Sequence, residues 1–364
     1  MSEIDIKTCT VTVYRGNYGA FLQAWALQQF LGEQNFLLRI EKRLDLNLYV
    51  GAKGKKRLPF FWRFIAFLRY LFRKKKPFDE LNMLKCSRRY YSQKDITENP
   101  PVADAYIAGS DQIWNNELMF VNYKLPWKIH FLEFGIPNAK RIAYAASMGA
   151  KEWPVAFTQK VLPYLKKFHA ISVREESSVP FLNSIGLKNV VVTCDPTILH
   201  TADFYRSNFH YAEDKCSDCI FIYSLGIKFS LSMQLFLGGK NMVLFDPNKS
   251  YEFISIAQWL YNIEMAEGVV TNSFHGTVFS ILFHKPFLTL PIFFTEHPRN
   301  ERLTSLLKKV KLEYRLLNGD ETEEEIKEIL YRPVDWEQVD RILEEWRTYS
   351  ANWLKDALAS KNVQ

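Results

Sequence analysis

The feature that most constrains this chain is an order repeated along it: a short, apolar, β-branched run, then a cluster of small polar residues, then a helical pattern. Cys9-Thr10-Val11-Thr12-Val13 alternates as a strand does and runs into the glycine-bearing turn Arg15-Gly16-Asn17-Tyr18-Gly19-Ala20. Helical periodicity follows over 21–31 and stops at Gly32. Residues 105–108 run into Gly109-Ser110-Asp111-Gln112-Ile113-Trp114-Asn115, and 141–146 into Ser147-Met148-Gly149. Residues 170–173 deliver Arg174-Glu175-Glu176-Ser177-Ser178, and 189–193 lead to Asp195-Pro196-Thr197. This is the order of an α/β fold. In open α/β sheets the ligand crevice lies at the carboxyl ends of the strands, so these polar clusters are expected to meet there.

A second α/β block starts near 219–224, continues through 242–245 and a helix over 254–266, and reaches Thr271-Asn272-Ser273-Phe274-His275-Gly276-Thr277. A short buried strand precedes that turn, a helix over 278–283 follows it, and Lys285-Pro286 ends the helix before a strand at 287–290. A helix start offers free backbone N–H groups and a positive dipole end, which together suit an anion. The plain reading is also open: Asn272 or Ser273 caps the helix and His275 is a satisfied polar side chain. The 323–330 and 336–358 segments read as helices with i,i+4 charge pairs. The expected units are 1–205, 206–320 and a helical tail at 321–364 that crosses back, with the boundary softest over 198–219.

The chain has 364 residues, 48% of them hydrophobic and 24% charged, which suits two globular domains rather than one. The first residues lack the apolar region of a secretory signal, and no apolar run reaches the ~20 residues of a membrane span. Five scattered cysteines fit a reducing cytoplasm; Cys216 and Cys219 form a lone CxxC, read as loop thiols rather than a metal or redox site. No His, Asp or Glu cluster has metal spacing, and the first glycine turn departs from the GxGxxG fingerprint, so neither a metal nor a nicotinamide cofactor is expected. The net charge of +7 is local. Residues 46–78 hold ten basic residues and no acidic one, so the remainder carries −3. Within that stretch Phe60, Phe61, Phe64, Ile65, Phe67, Leu68, Leu71 and Phe72 fall on one helical arc of about 160° opposite Arg63, Arg69 and Arg73. That is the pattern of a helix lying on an anionic membrane surface, here over 59–76; a packing helix is the alternative. Its aromatics are too contiguous for nucleic-acid stacking, so no nucleic acid is expected.

In order, the motifs resemble those of the polysaccharide pyruvyl transferases. The matching pieces are Gly16-Asn17-Tyr18-Gly19-Ala20 with Leu22-Gln23, Gly109-Ser110-Asp111-Gln112-Ile113-Trp114-Asn115, Ser172-Val173-Arg174-Glu175, Asp195-Pro196-Thr197 and Thr271-Asn272-Ser273-Phe274-His275-Gly276-Thr277. A weaker match is Arg299-Asn300-Glu301-Arg302-Leu303 with Leu306-Leu307. The resemblance implies two Rossmann-like domains facing a cleft, a GT-B-like arrangement with C-terminal helices. It implies transfer of the pyruvyl unit of phosphoenolpyruvate onto two hydroxyls of a sugar as a cyclic ketal, with phosphate released.

Phosphoenolpyruvate carries a carboxylate and a phosphate, so its site needs fixed cations and backbone donors. Arg174 is the first candidate, against an ion pair with Glu175 or Glu176; Arg302 is the second. His275 is the candidate acid, with Ser273, Phe274, Gly276 and Thr277 around the same anion and hydroxyls from Ser273 and Thr277. Asp111 is the candidate base for the acceptor hydroxyls, against a turn-stabilising role. Ser110 and Asn17 line the cleft, and Trp114 either stacks on a sugar or anchors the core. The basic stretch points to a lipid-linked hexose acceptor and a peripheral place on the inner face of the membrane, in capsule or exopolysaccharide synthesis. Two other readings stand beside this one: a nucleotide-sugar glycosyltransferase of similar fold, and a non-catalytic partner in glycan assembly.

Overall fold

The computed structural model describes residues 6–15, 17–40, 82–117, 127–210, 219–225, 231–238, 241–245, 254–291 and 300–360. The helix expected from the basic 46–78 stretch, the thiol of Cys216 and the Arg299 position lie outside them. Among the described residues no helix is long and apolar enough to cross a membrane.

Seven strands form the first sheet: β1 (Thr8–Val11), β2 (Asn35–Ile40), β3 (Cys86–Tyr90), β4 (Ala105–Ala108), β5 (Lys140–Ala146), β6 (Ala170–Val173) and β7 (Val191–Val192). Their order is β3-β2-β1-β4-β5-β6-β7, and every pairing is parallel. The order reverses between β1 and β4, which makes their carboxyl ends the switch point of a doubly wound sheet. The second sheet holds β8 (Ile220–Tyr223), β9 (Met242–Phe245), β10 (Gly268–Thr271) and β11 (Phe287–Thr289), in the parallel order β11-β10-β8-β9. Here the switch lies between β8 and β10. The central strands are short and buried along their length, because helices cover both faces of a parallel sheet. The molecule is thus an α/β protein of two Rossmann-like sheets with C-terminal helices, a GT-B-like fold.

The helix Tyr18–Leu31 follows β1. It starts earlier than its apolar periodicity indicates because Asn17 caps it, accepting from the Ala20 N–H at 2.7 Å. All of its residues except Gln29 are buried, for it lies between the two sheets rather than on a surface. Tyr18 enters an aromatic cage of the second sheet. Its ring stacks on Trp259 at 5.4 Å and meets Phe245 and Tyr223 edge-on at 5.5 and 6.1 Å, while its hydroxyl donates to the Ile254 carbonyl at 2.8 Å. Further along, Trp25 packs edge-on against Phe209 at 4.9 Å. One hydrophobic cluster therefore runs from this helix through both sheets.

The tail contributes two helices, Glu323–Tyr331 with a Thr322/Glu325 capping box, and Trp336–Ala359. The second begins beside the second sheet, where the His284 ring stacks on Trp336 and its Nε2 lies 2.9 Å from Asp340. It ends against the first sheet. Ser350 accepts from the Cys194 N–H at 2.9 Å, Arg347 Nε donates to the Ile198 carbonyl at 2.8 Å, and Lys140 donates to the Leu358 carbonyl. Cys219 is disulfide-bonded, which corrects the expected loop of free thiols; Cys9, Cys86 and Cys194 are free.

Two histidines are buried among these layers, and burial pushes both down to about 4: His130, and His200, whose Nε2 donates to the Ala26 carbonyl at 2.9 Å. A folded value below the ordinary 6.5 means that the unfolded chain binds these protons first as pH falls. Their neutral forms therefore favour folding fully above pH 6.5, and that contribution is lost progressively between 6.5 and about 4. His200→Gln should flatten the decline of urea-unfolding stability over this window; an unchanged slope would mean that His200 does not stay neutral in the fold.

Candidate active site

The polar clusters that follow the strands do meet, and Asp195 is their centre. It lies past β7 and caps a short 3₁₀ turn, Pro196–Leu199, accepting at Oδ1 from the Thr197 N–H at 3.0 Å and the Thr197 hydroxyl at 2.7 Å. Oδ2 accepts from the Ser110 hydroxyl at 2.8 Å and from Arg174 Nη1 at 2.8 Å. His275 comes from the second sheet and sets its Nε2 3.5 Å from Oδ1, within ion-pair reach but outside hydrogen-bond geometry. Burial alone would push this carboxyl up. The charge and contact of His275, the Arg174 guanidinium and the Thr197 N–H outweigh it and hold Asp195 well below the ordinary carboxylate range.

Arg174 is delivered by β6 and is almost wholly buried. Its Nη1 is taken by Asp195, and its Nε lies 3.3 Å from Glu175 Oε1. Its plane rests over the Phe274 ring at 4.2 Å. Burial pulls its pKa down, and Glu175, Asp195 and Asp111 more than reverse that, so it is a fixed cation. The guanidinium is therefore not the open fork expected of a carboxylate clamp; it is ion-paired, and only Nη2 has no hydrogen-bond partner. His275 Nε2 and the Ser147 hydroxyl, at the end of β5, are likewise buried without one. Native proteins rarely leave such atoms without a partner, and those of Arg174 and His275, which share Asp195, mark a place for a ligand or ordered water.

The helix behind His275 is Phe274–Leu282, with Ser273 as its cap, so it starts several residues before the expected 278. The Ser273 hydroxyl accepts from the Gly276 N–H at 3.3 Å, which leaves the Phe274 and His275 amides as the first-turn donors without an intrahelical acceptor. Gly276 is required by packing, since a Cβ there would sit 2.6 Å from the Thr271 hydroxyl. Thr277 is corrected: its hydroxyl bonds the Ser273 carbonyl at 3.1 Å and lies 3.2 Å from that of Thr289, facing β11 rather than the cleft. Asn272 accepts from the Leu225 N–H at 2.8 Å and pins the end of β8. Gly19 backs the histidine ring from the other lobe. A Cβ on it would fall 2.1 Å from His275 Nδ1.

Around the first switch point, Thr12 donates to the Ser110 carbonyl at 2.9 Å. Asp111 has φ 63, a left-handed conformation that Asp tolerates, and its carbonyl accepts from Ile113 and Ser147. Its side chain is half-buried, with its charge felt at Arg174. Trp114 is corrected: it is fully buried, donates to the His130 carbonyl at 3.1 Å, and stacks on Phe131, so it anchors the core and offers no face to a sugar. Asn17 serves as a helix cap. Arg302 opens the helix Glu301–Lys309 and faces Gln112; with the Gln112 amide oxygen turned toward it, Nη1 and Nη2 donate at 3.3 and 3.2 Å. Arg302 thus meets Gln112, the residue after Asp111. Among the described residues no group of His, Cys, Asp and Glu could hold a metal ion.

Asp195 was not among the site residues expected from the sequence. An Asp before Pro with Thr two residues on does announce a cap, and the cap occupies only one carboxylate oxygen; the other was the signal available.

Several solved structures are similar over nearly the full length. Arabidopsis thaliana UGT89C1 complexed with UDP has 8% identity and a TM-score of 0.48, covering 98% of this chain and 100% of that one. The UDP-GlcNAc 2-epimerase from Neisseria meningitidis bound to UDP-GlcNAc has 13% identity and a TM-score of 0.44, covering 97% and 99%. The UDP-N-acetylglucosamine 2-epimerase from Rickettsia bellii has 10% identity and a TM-score of 0.45, covering 96% and 98%. No curated protein matches the sequence. The family model for polysaccharide pyruvyl transferase matches residues 17–292, a span that holds Gly19, Asp111, Arg174, Asp195 and His275, and the chain belongs to that family.

Proposed function

We propose that this protein transfers the pyruvyl unit of phosphoenolpyruvate onto two hydroxyls of a hexose, forming a cyclic ketal in a lipid-linked surface-polysaccharide precursor. The observation that carries this reading is the Arg174–Asp195–His275 cluster, where Arg174 Nη2 and His275 Nε2 are buried without hydrogen-bond partners. Family membership supports the transferase class. The lipid-linked acceptor is supported by the basic, aromatic sequence of 46–78.

The chemistry follows from charge. Arg174 faces two carboxylates, Asp195 and Glu175, so the buried set holds an excess of negative charge while His275 is neutral. A bound phosphate adds to that negative charge, and a proton carried by the His275 ring offsets it. The imidazolium then gives its proton to the methylene carbon of the donor, making C2 electrophilic. One sugar hydroxyl attacks C2, the C–O bond to phosphate breaks, and the second hydroxyl closes the ketal. Of the two hydroxyl protons released, one replaces the proton lost to the methyl group and the other leaves with phosphate. Asp111 receives the first hydroxyl proton at the end of β4, and Arg302 with the Phe274 and His275 amides holds the leaving anion.

Thermal-shift titration tests the donor. Phosphoenolpyruvate should raise Tm; stabilisation by a uridine diphosphate sugar with none by phosphoenolpyruvate would favour a nucleotide-sugar glycosyltransferase instead. His275→Gln should lower kcat by ~10²–10⁴ with a smaller change in donor affinity. Gly19→Ala should act in the same direction, since the new methyl must displace the His275 ring. Near-normal turnover in both variants would return His275 to a helix-start role. Asp195→Asn leaves Arg174 with Glu175 as its buried carboxylate but sets an amide against the donors that converge on Asp195, and should cost about 1–3 kcal/mol of folding stability in urea titrations. A cost below about 1 kcal/mol would mean that water reaches the pair.

A further inference from the structure

A cavity of about 610 Å³ lies where the loop after β6, the helix Glu301–Lys309 and the helix Trp336–Ala359 meet. Its walls include Glu176, Ser305, Lys308, Lys309, Trp346 and Tyr349. The walls have two chemical properties that act together. Aromatic surface comes from Tyr349, which is 48% exposed, with Trp346 buried in the wall beside it. Fixed charge is balanced: Lys308 lies 3.5 Å from Glu176, Lys309 stands 5.6 Å above the Trp346 ring, and Glu345 supplies a second carboxylate. Two cations against two carboxylates give no preference for a nucleotide or another polyanion. Aromatic surface ringed by paired donors and acceptors suits a neutral polyol, whose C–H face packs on a ring while its hydroxyls bond to the rim.

Two chain elements link the cavity wall to the candidate active site. Glu176 follows Arg174 and Glu175 directly in the chain, and its N–H donates to the Ser305 hydroxyl at 3.2 Å. Arg302, Ser305 and Lys309 stand at i, i+3 and i+7 of one helix and so share a face. At 1.5 Å per residue, Arg302 and Lys309 are ~10 Å apart along the axis. An acceptor lying along this helix face with its reacting unit beside Arg302 would bring its further units to the Lys309 end, where the cavity lies.

We propose that this cavity is a subsite for the neutral, non-reacting sugars of an oligosaccharide acceptor, so that the protein selects an extended glycan rather than a monosaccharide. The proposal rests on the pyruvyl-transfer reading for its acceptor, but the site is testable without donor. An array of neutral mono- to tetrasaccharides of glucose, galactose, mannose and N-acetylhexosamines, probed with the full chain and no phosphoenolpyruvate, should show binding from trisaccharides upward. On the best glycan, Tyr349→Ala should weaken binding about three- to tenfold, as expected for loss of one aromatic face. Lys308→Glu, also exposed, would break the charge balance and should weaken it similarly. Phosphoenolpyruvate stabilisation, measured in parallel, should be unchanged in both variants. Monosaccharides binding as well as trisaccharides, no binding by any neutral trisaccharide or tetrasaccharide, or wild-type affinity in both variants would each overturn the subsite. A wild type that binds the glycans but ignores phosphoenolpyruvate would leave the subsite standing and sink the donor assignment instead.

Discussion

The buried contact between Arg174 and Asp195 is the constraint on which the site depends. Removing an arginine and a carboxylate from water is costly, and their attraction offsets that cost only when the remaining donors and acceptors are also engaged. Here they are. Asp195 gathers Ser110 from the end of β4, Thr197 from its own turn and Arg174 from the end of β6. Phe274 of the second lobe closes over the guanidinium. The carboxyl ends of strands far apart in sequence are thereby held in one arrangement, and His275 is presented to a carboxylate that does not move away. The same geometry that stabilises the fold leaves Arg174 Nη2 and His275 Nε2 buried without hydrogen-bond partners.

The strands were legible because they are short, apolar and β-branched, and each is followed by residues that neither sheet nor helix readily accepts. Ala105–Ala108 and Ala170–Val173 fall where the pattern places them. Helix starts were less legible. Tyr18-Gly19 and Phe274-His275-Gly276 lack strong helix formers, so periodicity alone begins late, while the capping oxygens of Asn17 and Ser273 set the true first turns. Side-chain direction was not legible at all. Trp114 lies in a polar motif, yet its turn drives it into the core; Thr277 faces β11 because the helix carries it a turn past the cleft. The partner of Arg174 illustrates the same limit. Glu175 was visible as a neighbour in sequence, whereas Asp195 reaches it only through the sheet order.

Glycines in this site act by absence of a side chain rather than by unusual backbone angles. Gly19 and Gly276 lie in helices, and each yields to a specific neighbour, the His275 ring and the Thr271 hydroxyl. Gly19 lets its helix approach the His275 helix of the other lobe, and Gly276 seats that second helix against β10. Asp111 is the contrasting case: its left-handed backbone turns the chain sharply at the end of β4, so that its carbonyl ties to β5 and its carboxylate stays near the cleft.

The cage around Tyr18 has a consequence for how the lobes relate. A residue from the first helix of one sheet is enclosed by Trp259, Phe245 and Tyr223 of the other, and the Tyr18–Leu31 helix that follows is buried almost completely. Wide hinge opening would expose that helix to water and break the cage, so at this edge the halves are fastened rather than hinged. The lobes are not interchangeable modules: each supplies interior surface the other lacks, and neither inherits a complete core if the chain is cut between them. Any sliding that admits a glycan must therefore pivot about Tyr18.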